Sequence, residues 1–324
     1  MSTNFWQKLP KPFTVLAPMD DVTDTVFRQV VLSAGRPDVF FTEFTSADGL
    51  VFNSHGVPLR KLMFTKGQHP IVAQIWGKDP DRMEKAAKIV ADLGFDGIDI
   101  NMGCPVRDVI RLGAGAGLIG NYESAGNVIS AVKKGAGGLP VSVKTRLGIN
   151  TNIAADWSTF LLKQNLAALT IHARTAKQMS AVPAQWEEVG KIVKIRDRIA
   201  PNTPIIGNGD VKSYREILKL SQEYGVDGVM VGRGIFTDPW IFDSSSILAS
   251  HPRQEYIDLL LLHIKLFEKT WGETKNFAII KKFFKMYINN FRGASLLRQK
   301  LMATGNFEEV ENLIRSEGVE EPGN

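Results

Sequence analysis

Residues 81–105, DRMEKAAKIVADLGFDGIDINMGCP, hold one complete unit of the pattern that decides the fold. From Asp81 to Leu93 the residues Met83, Ala86, Ala87, Ile89, Val90 and Leu93 recur at helical spacing, and Gly94 then stops the helix. Gly97 to Ile100 follows as a run too short for a helix, and it ends in a polar, glycine-containing loop, Asn101-Met102-Gly103-Cys104-Pro105.

The same unit repeats outward in both directions. Short β-rich runs occur at Phe13–Ala17, Val39–Glu43, Ile71–Ile75, Gly97–Ile100, Val141–Lys144, Ala168–His172, Pro204–Gly207 and Gly228–Val231. Helical patterns lie between most of them, at Thr25–Ala34, Asp81–Leu93, Ser124–Lys134, Asp156–Lys163, Trp186–Arg198 and Tyr214–Tyr224. Strand alternating with helix predicts an α/β protein with a parallel sheet, and eight units suit a closed (β/α)8 TIM barrel better than an open doubly wound sheet. After Asp243 the pattern changes to helices alone, at His251–Lys269, Asn276–Asn290, Leu296–Ala303 and Phe307–Arg315. The expectation is a catalytic barrel over 1–245 and a C-terminal all-α domain over 246–324, joined in the Ser244–Pro252 stretch.

One cysteine in 324 residues excludes an intrachain disulfide and any multi-cysteine metal site, and no metal is expected. Met1–Pro10 lacks the apolar core of a signal peptide, and Leu259–Phe267 is interrupted by His263 and Lys265, so a cytoplasmic protein without a membrane partner is expected. A net charge of +5 is compatible with a polyanionic partner, although its location matters more than its sum.

Chemistry on a barrel gathers at the carboxyl ends of its strands, and here those ends are polar and specific. They read Ala17-Pro18-Met19, Glu43, Gln74, Asn101–Pro105, Lys144-Thr145-Arg146, His172-Ala173-Arg174-Thr175, Gly207-Asn208-Gly209-Asp210 and Gly232-Arg233-Gly234. The glycine pairs after the seventh and eighth runs would offer unshielded N–H groups beside a short helix from Phe236 onward, which is a phosphate cradle to which Arg233 adds charge. Tight turns needing positive φ would explain the glycines equally well one at a time. Gln74, Lys144 and His172 would line the mouth and could hold the plane of a flavin and stabilise negative charge on it. Taken singly, Lys144 could equally pair with Glu43, and a histidine could be an ordinary core residue. Cys104 could be an inert buried thiol, but a thiol at a strand end can also serve as a general acid near neutral pH.

Asn101-Met102-Gly103-Cys104-Pro105, followed by the glycine-rich Gly113–Gly117, resembles the signature loop of the tRNA-dihydrouridine synthases. Ala17-Pro18-Met19, Gln74, Lys144-Thr145-Arg146, His172-Ala173-Arg174-Thr175, Asn208-Gly209-Asp210 and Val231-Gly232-Arg233-Gly234 resemble that family's other blocks, in the same order along the whole barrel. The resemblance implies tightly bound FMN, NADPH as reductant and tRNA as substrate. Hydride would pass to carbon 6 of a uracil while Cys104 protonates carbon 5. FMN would be contacted by Pro18, Met19, Gln74, Lys144, His172, Asn208, Gly209, Asp210, Gly232 and Arg233, Asn101 would lie against the flavin or the target base, and Arg146 and Arg174 would meet the substrate RNA. Asp108 and Gly117 depart from the family's usual loop.

The helical domain points to RNA independently. Lys275, Lys281, Lys282, Lys285, Arg292, Arg298 and Lys300 occur with no acidic residue from Lys275 to Met302, and Lys281, Lys282, Lys285 and Arg292 are the expected phosphate contacts. Phe283, Phe284, Tyr287 and Phe291 interleave with them and are expected to form a core face. A monomer is expected. Two other functions share these features: a flavin dehydrogenase of free pyrimidines or dihydroorotate, and an RNA-binding protein that keeps the fold without catalysis.

Overall fold

Eight short strands line up in parallel in the computed structural model: β1 Phe13–Leu16, β2 Phe40–Phe41, β3 Ile71–Trp76, β4 Gly97–Met102, β5 Val141–Arg146, β6 Leu169–His172, β7 Ile205–Asn208 and β8 Gly228–Val231. Each pairs with its sequence neighbour from β3 to β8, β2 pairs with β3, and β8 pairs with β1 through Phe13–Gly228 to Leu16–Val231. The ring closes ahead of β2, where Leu16 N donates to Val39 O and Val39 N to Thr14 O, both at 3.1 Å. Thr45–Ser46 adds a second short stretch beside β3. This is the (β/α)8 barrel that the alternating pattern predicts. The described residues are 4–53, 56–245, 251–272, 274–289 and 291–317.

Helices Thr25–Ala34, Pro80–Asp92, Tyr122–Gly135, Ala154–Leu162, Trp186–Ile199 and Tyr214–Tyr224 form where their sequences carry the stripe and the caps. Asp79 accepts from Arg82 N at 3.0 Å ahead of Pro80, and Gly94 at φ +85° lets the chain turn back toward β4. The expected helix from Phe236 onward is instead one 3₁₀ turn, Arg233–Phe236. It ends there because Pro239 lacks an N–H and disfavours helical geometry at Asp238.

The segment Phe5–Lys8 closes the amino end of the barrel. Asn4 Nδ2 donates to Ala167 O at 3.0 Å, and Trp6 packs 5.8 Å from the Phe13 ring. Trp6, Phe13, Val15, Val39, Phe41, Val72, Ala168, Ile206 and Met230 form a buried cluster there. Each of the larger side chains contributes about 1.5–3 kcal/mol by leaving water.

The chain divides into two compact units, Met1–Thr25 with Pro37–Arg233, and Val26–Arg36 with Gly234–Asn324. The expected boundary stretch Ser244–Pro252 includes 246–250, which lie outside the described residues, as does Asn290. The second unit contains helices Arg253–Trp271, Ala294–Ala303 and Phe307–Glu317. The helix expected over Asn276–Asn290 is a 3₁₀ helix, Phe277–Phe283, continued by a single α turn, Phe284–Tyr287. Phe277, Ile280 and Phe283 recur every third residue, which suits the three-residue turn of a 3₁₀ helix. Phe283, Phe284 and Tyr287 are buried, with Phe27 stacked on Phe283 at 5.2 Å, as expected of a core face, whereas Phe291, also expected there, is half-buried with the Arg253 guanidinium 4.8 Å over its ring. Among the described residues no helix is long and apolar enough to cross a membrane.

Candidate active site

β4 runs two residues further than its apolar run suggests, so Asn101 is a strand residue and shares one face with Asp99. Asn101 Oδ1 accepts from Gly103 N at 3.0 Å and from Cys104 N at 2.8 Å, which bends the chain into the cysteine loop. Arg146, the last residue of β5, donates from Nε to Gly103 O at 2.7 Å. Gly115, at φ +56°, lets the glycine-rich segment fold back on the loop, where a Cβ would lie 3.0 Å from Cys104 Cβ. Gly117 is required by space, since its Cβ would fall 2.7 Å from Ile110 O, and Asp108 pairs locally with Arg111 at 3.0 Å.

The Cys104 thiol is free and 6% exposed. Burial pushes it above the ordinary thiol range and Asp20 adds to this, against the Val106 N–H, Arg146 and Lys144, so it is protonated at neutral pH. Lys144 lies on the next strand and donates to Asn208 Oδ1 at 3.3 Å. Burial, with Arg146 beside it, brings its ammonium down to about 8 against the pull of Asp99 and Cys104.

Gln74 and Asn101 bond to each other and are accompanied by Asp99 and Ser142, which the sequence pattern did not single out. Gln74 Nε2 donates to Asp99 Oδ2 at 2.7 Å, Asn101 Nδ2 donates to Gln74 Oε1 at 2.9 Å, and Ser142 Oγ donates to Asp99 Oδ1 at 2.6 Å. Asp99 is fully buried, which raises its carboxyl to about 6 despite those donors and Lys144. The period-two alternation of Asp99 with Asn101 is the signal that could have identified it.

On the far side, His172 is kept neutral by burial and by Arg146, Lys144, Arg174 and Arg233 around it. Arg174, expected near RNA, is 3% exposed, and its guanidinium donates to Val182 O and the Asp210 carboxylate and faces His172 Nε2 at 3.5 Å. Burial opposes ionisation of Asp210, but Arg174, the Ala184 N–H and Arg233 hold it below the usual carboxylate range. Gly209, at φ +134°, leaves no room for a side chain, because a Cβ would sit 2.9 Å from Ala184 Cβ. At Gly232 a Cβ would meet only Ala17 and Met19, at 3.7 and 3.9 Å, so the backbone faces an open cradle beside half-buried Pro18 and Met19. Gly207 serves packing, since its Cβ would overlap the Trp186 ring, whose Nε1 donates to Gly209 O at 2.9 Å. Four cations, a neutral imidazole and glycine backbone form a donor set that fits a phosphorylated, ring-bearing anion such as FMN. On the opposite sign, Asp20, Asp21 and Glu43 bring carboxylate oxygens within 4.8 Å of one another, and Lys61 pairs with Asp20.

In the helical unit Lys282, Lys285 and Arg292 are exposed. Lys281 donates to Met302 O at 2.8 Å, Arg298 to Ile288 O at 2.6 Å, and Lys300 pairs with Glu317 at 2.6 Å.

A family model described as dihydrouridine synthase matches residues 15–321. The chain is 48% identical over 317 residues to "Probable tRNA-dihydrouridine synthase 2" of Bacillus subtilis (strain 168), covering 97% of this chain and 96% of that one. It is 47% identical over 318 residues to "Probable tRNA-dihydrouridine synthase" of Staphylococcus aureus (strain Mu50), covering 97% and 95%. Among solved structures, 2-naphthoyl-CoA reductase matches with a TM-score of 0.56 at 12% identity over 71% of this chain and 49% of that one. Histamine dehydrogenase from Rhizobium sp. 4-9 matches with a TM-score of 0.54 at 14% identity over 78% and 48%. These two show a shared barrel fold.

Proposed function

Because this chain belongs to the dihydrouridine synthase family, we propose that it is an FMN-dependent oxidoreductase that reduces uridines in tRNA to dihydrouridine, with NADPH as reductant. The observation that carries this reading is the Cys104 thiol, the chain's one cysteine, held protonated at a strand end with Lys144 and Arg146 in electrostatic reach. FMN, when bound, supplies the hydride that is added to carbon 6 of the uracil.

Gly209, Gly232 and Arg233 would cradle the FMN phosphate, with Asp210 beside them pairing with Arg174 and Arg233. Pro18, Met19, Gln74, Lys144, His172 and Asn208 would hold the ring system, and a neutral His172 could offer it a hydrogen bond without adding charge. Cys104 gives its proton to carbon 5, completing saturation of the carbon 5–carbon 6 bond. The thiolate left behind is stabilised by the Val106 N–H and by Arg146 and Lys144. Asn101 and Arg146 hold the loop that presents the thiol to the base. The uracil must leave its stack to enter the barrel mouth, and Lys281, Lys282, Lys285 and Arg292 bind phosphates to offset that cost.

The test is to map dihydrouridine in tRNA from cells with and without this protein. Loss of dihydrouridine at defined positions, restored by the wild-type gene, is the expected result; an unchanged map would overturn the proposal. Purified enzyme turning over free uracil or dihydroorotate in preference to tRNA would instead favour a small-molecule dehydrogenase.

A further inference from the structure

We propose that Asp99 is a positioning residue that sets the polarity of a buried amide relay, Asp99–Gln74–Asn101, and through it the geometry of the Cys104 loop. It rests on the proposed function only in taking Cys104 as the proton donor.

An amide side chain has chemically distinct ends, and which end faces where is decided by its partners. Ionised Asp99 can only accept, so Gln74 turns its Nε2 to the carboxylate, at 2.7 Å. That leaves Gln74 Oε1 facing Asn101, which answers with Nδ2 at 2.9 Å. Asn101 Oδ1 is then aimed at the loop and receives Gly103 N and Cys104 N, at 3.0 and 2.8 Å. One buried acceptor thus dictates two successive amide orientations and, through the second, the seat of the loop N–H groups. Ser142 Oγ, at 2.6 Å from the other carboxylate oxygen, fixes the carboxylate plane. The strand register makes the relay possible, because Gln74, Asp99 and Ser142 are direct partners across β3, β4 and β5.

Were the acceptor removed, Gln74 would be free to rotate. Its NH2 would then oppose the NH2 of Asn101, Asn101 would turn over, and the two loop N–H groups would face donors. A carboxylate with no exposed surface is an expensive way to fill space, and a hydrophobic residue would pack there at lower cost. Its orienting effect on the amides is what the carboxylate adds.

The lone cysteine makes the test direct: the rate at which iodoacetamide alkylates the holoenzyme, measured against pH, reports only on Cys104. The charged groups acting on this thiol are Arg146, Lys144 and Asp20, and the variants leave all three in place. Asp99→Leu should loosen the loop, so that alkylation becomes at least about fivefold faster and its midpoint moves down as the thiol gains solvent. Asp99→Asn should keep the wild-type profile, since its carbonyl can accept from Gln74 while its NH2 donates to Ser142 Oγ. If Asp99→Leu does not fold, Gln74→Met breaks the next link and should show the same acceleration in enzyme whose flavin absorption band is retained, since Gln74 also faces the proposed flavin site. A folded Asp99→Leu or Gln74→Met enzyme with the wild-type profile would overturn the relay, as would an Asp99→Asn profile shifted as far as that of Asp99→Leu. The readout needs no tRNA, so a shifted profile in an enzyme that forms no dihydrouridine would leave the relay standing and count against the proposed function alone.

Discussion

Arg146 Nε donates to the carbonyl of Gly103 at 2.7 Å, so the last residue of β5 holds the loop that carries Cys104. The same guanidinium acts on the thiol as a positive charge and draws it down against the effect of burial. Arg146→Gln should therefore push the Cys104 thiol further up, seen as an upward move of the alkylation midpoint. It should also cost about 1.5–3 kcal/mol through removal of the charge-assisted hydrogen bond. A midpoint unchanged or lower, at an alkylation rate that shows the loop still in place, would refute the electrostatic part.

Cys104→Ala should lower dihydrouridine formation by about 10²–10⁴-fold, the usual worth of a positioned acid, while the flavin absorption band of the purified protein persists. Because the acid acts in its protonated form, wild-type turnover should be level through neutral pH. The part of any alkaline fall that belongs to Cys104 should come only as pH rises past the ordinary thiol range, since burial raises this thiol, whereas Lys144, brought down to about 8, would act below it. An alkaline limb well below that range would exclude Cys104 as the group that titrates.

Gly209→Ala forces a side chain onto φ +134° and against Ala184. The strain, about 1–3 kcal/mol, should appear as weaker FMN retention, measured by equilibrium dialysis. Gly207→Ala should chiefly lower the melting temperature, because its Cβ meets the Trp186 ring and not the cradle. Equal FMN loss from both, at equal stability, would dissolve the distinction.

Asp227, nearly buried, accepts from Arg196 at 2.5 Å, from Ile205 N at 2.8 Å and from Lys11 at 2.5 Å. Burial opposes its ionisation, but these donors prevail and hold it below the usual carboxylate range. Its stabilising contribution is thus fully present above the unfolded-state pKa, about 3.9, and is lost as pH falls through the lower folded value. Asp227→Asn should cost about 3–5 kcal/mol in urea unfolding at pH 7, since Arg196 stays buried with its main partner uncharged. The cost should shrink in acid.

Lys282→Glu with Lys285→Glu should weaken tRNA binding and flatten its dependence on salt by about 0.7–0.9 in log–log slope for each phosphate no longer neutralised. NADPH oxidation without tRNA should be unaffected. Affinity unchanged from low to high salt would remove these lysines from the RNA surface.

Local patterning alone specifies the barrel, its eight strands and the helical character of the C-terminal region. These follow from periods of two and about 3.6 residues and from glycine stops, which are properties of neighbours in the chain. It also marks Cys104, Lys144, His172 and Gly209, because polar residues directly after apolar runs need only strand ends to be read. Which residues meet is settled in three dimensions. Asp99 reaches Gln74 and Ser142 across 25 and 43 residues of chain, Arg174 is engaged by Asp210, and Gly207 yields to Trp186. Helix Thr25–Ala34 reads as a barrel helix, yet from Val26 onward it groups with the C-terminal unit. Such partnerships depend on strand register and on which faces pack, and a one-residue slip would replace every one of them while leaving the local pattern unchanged.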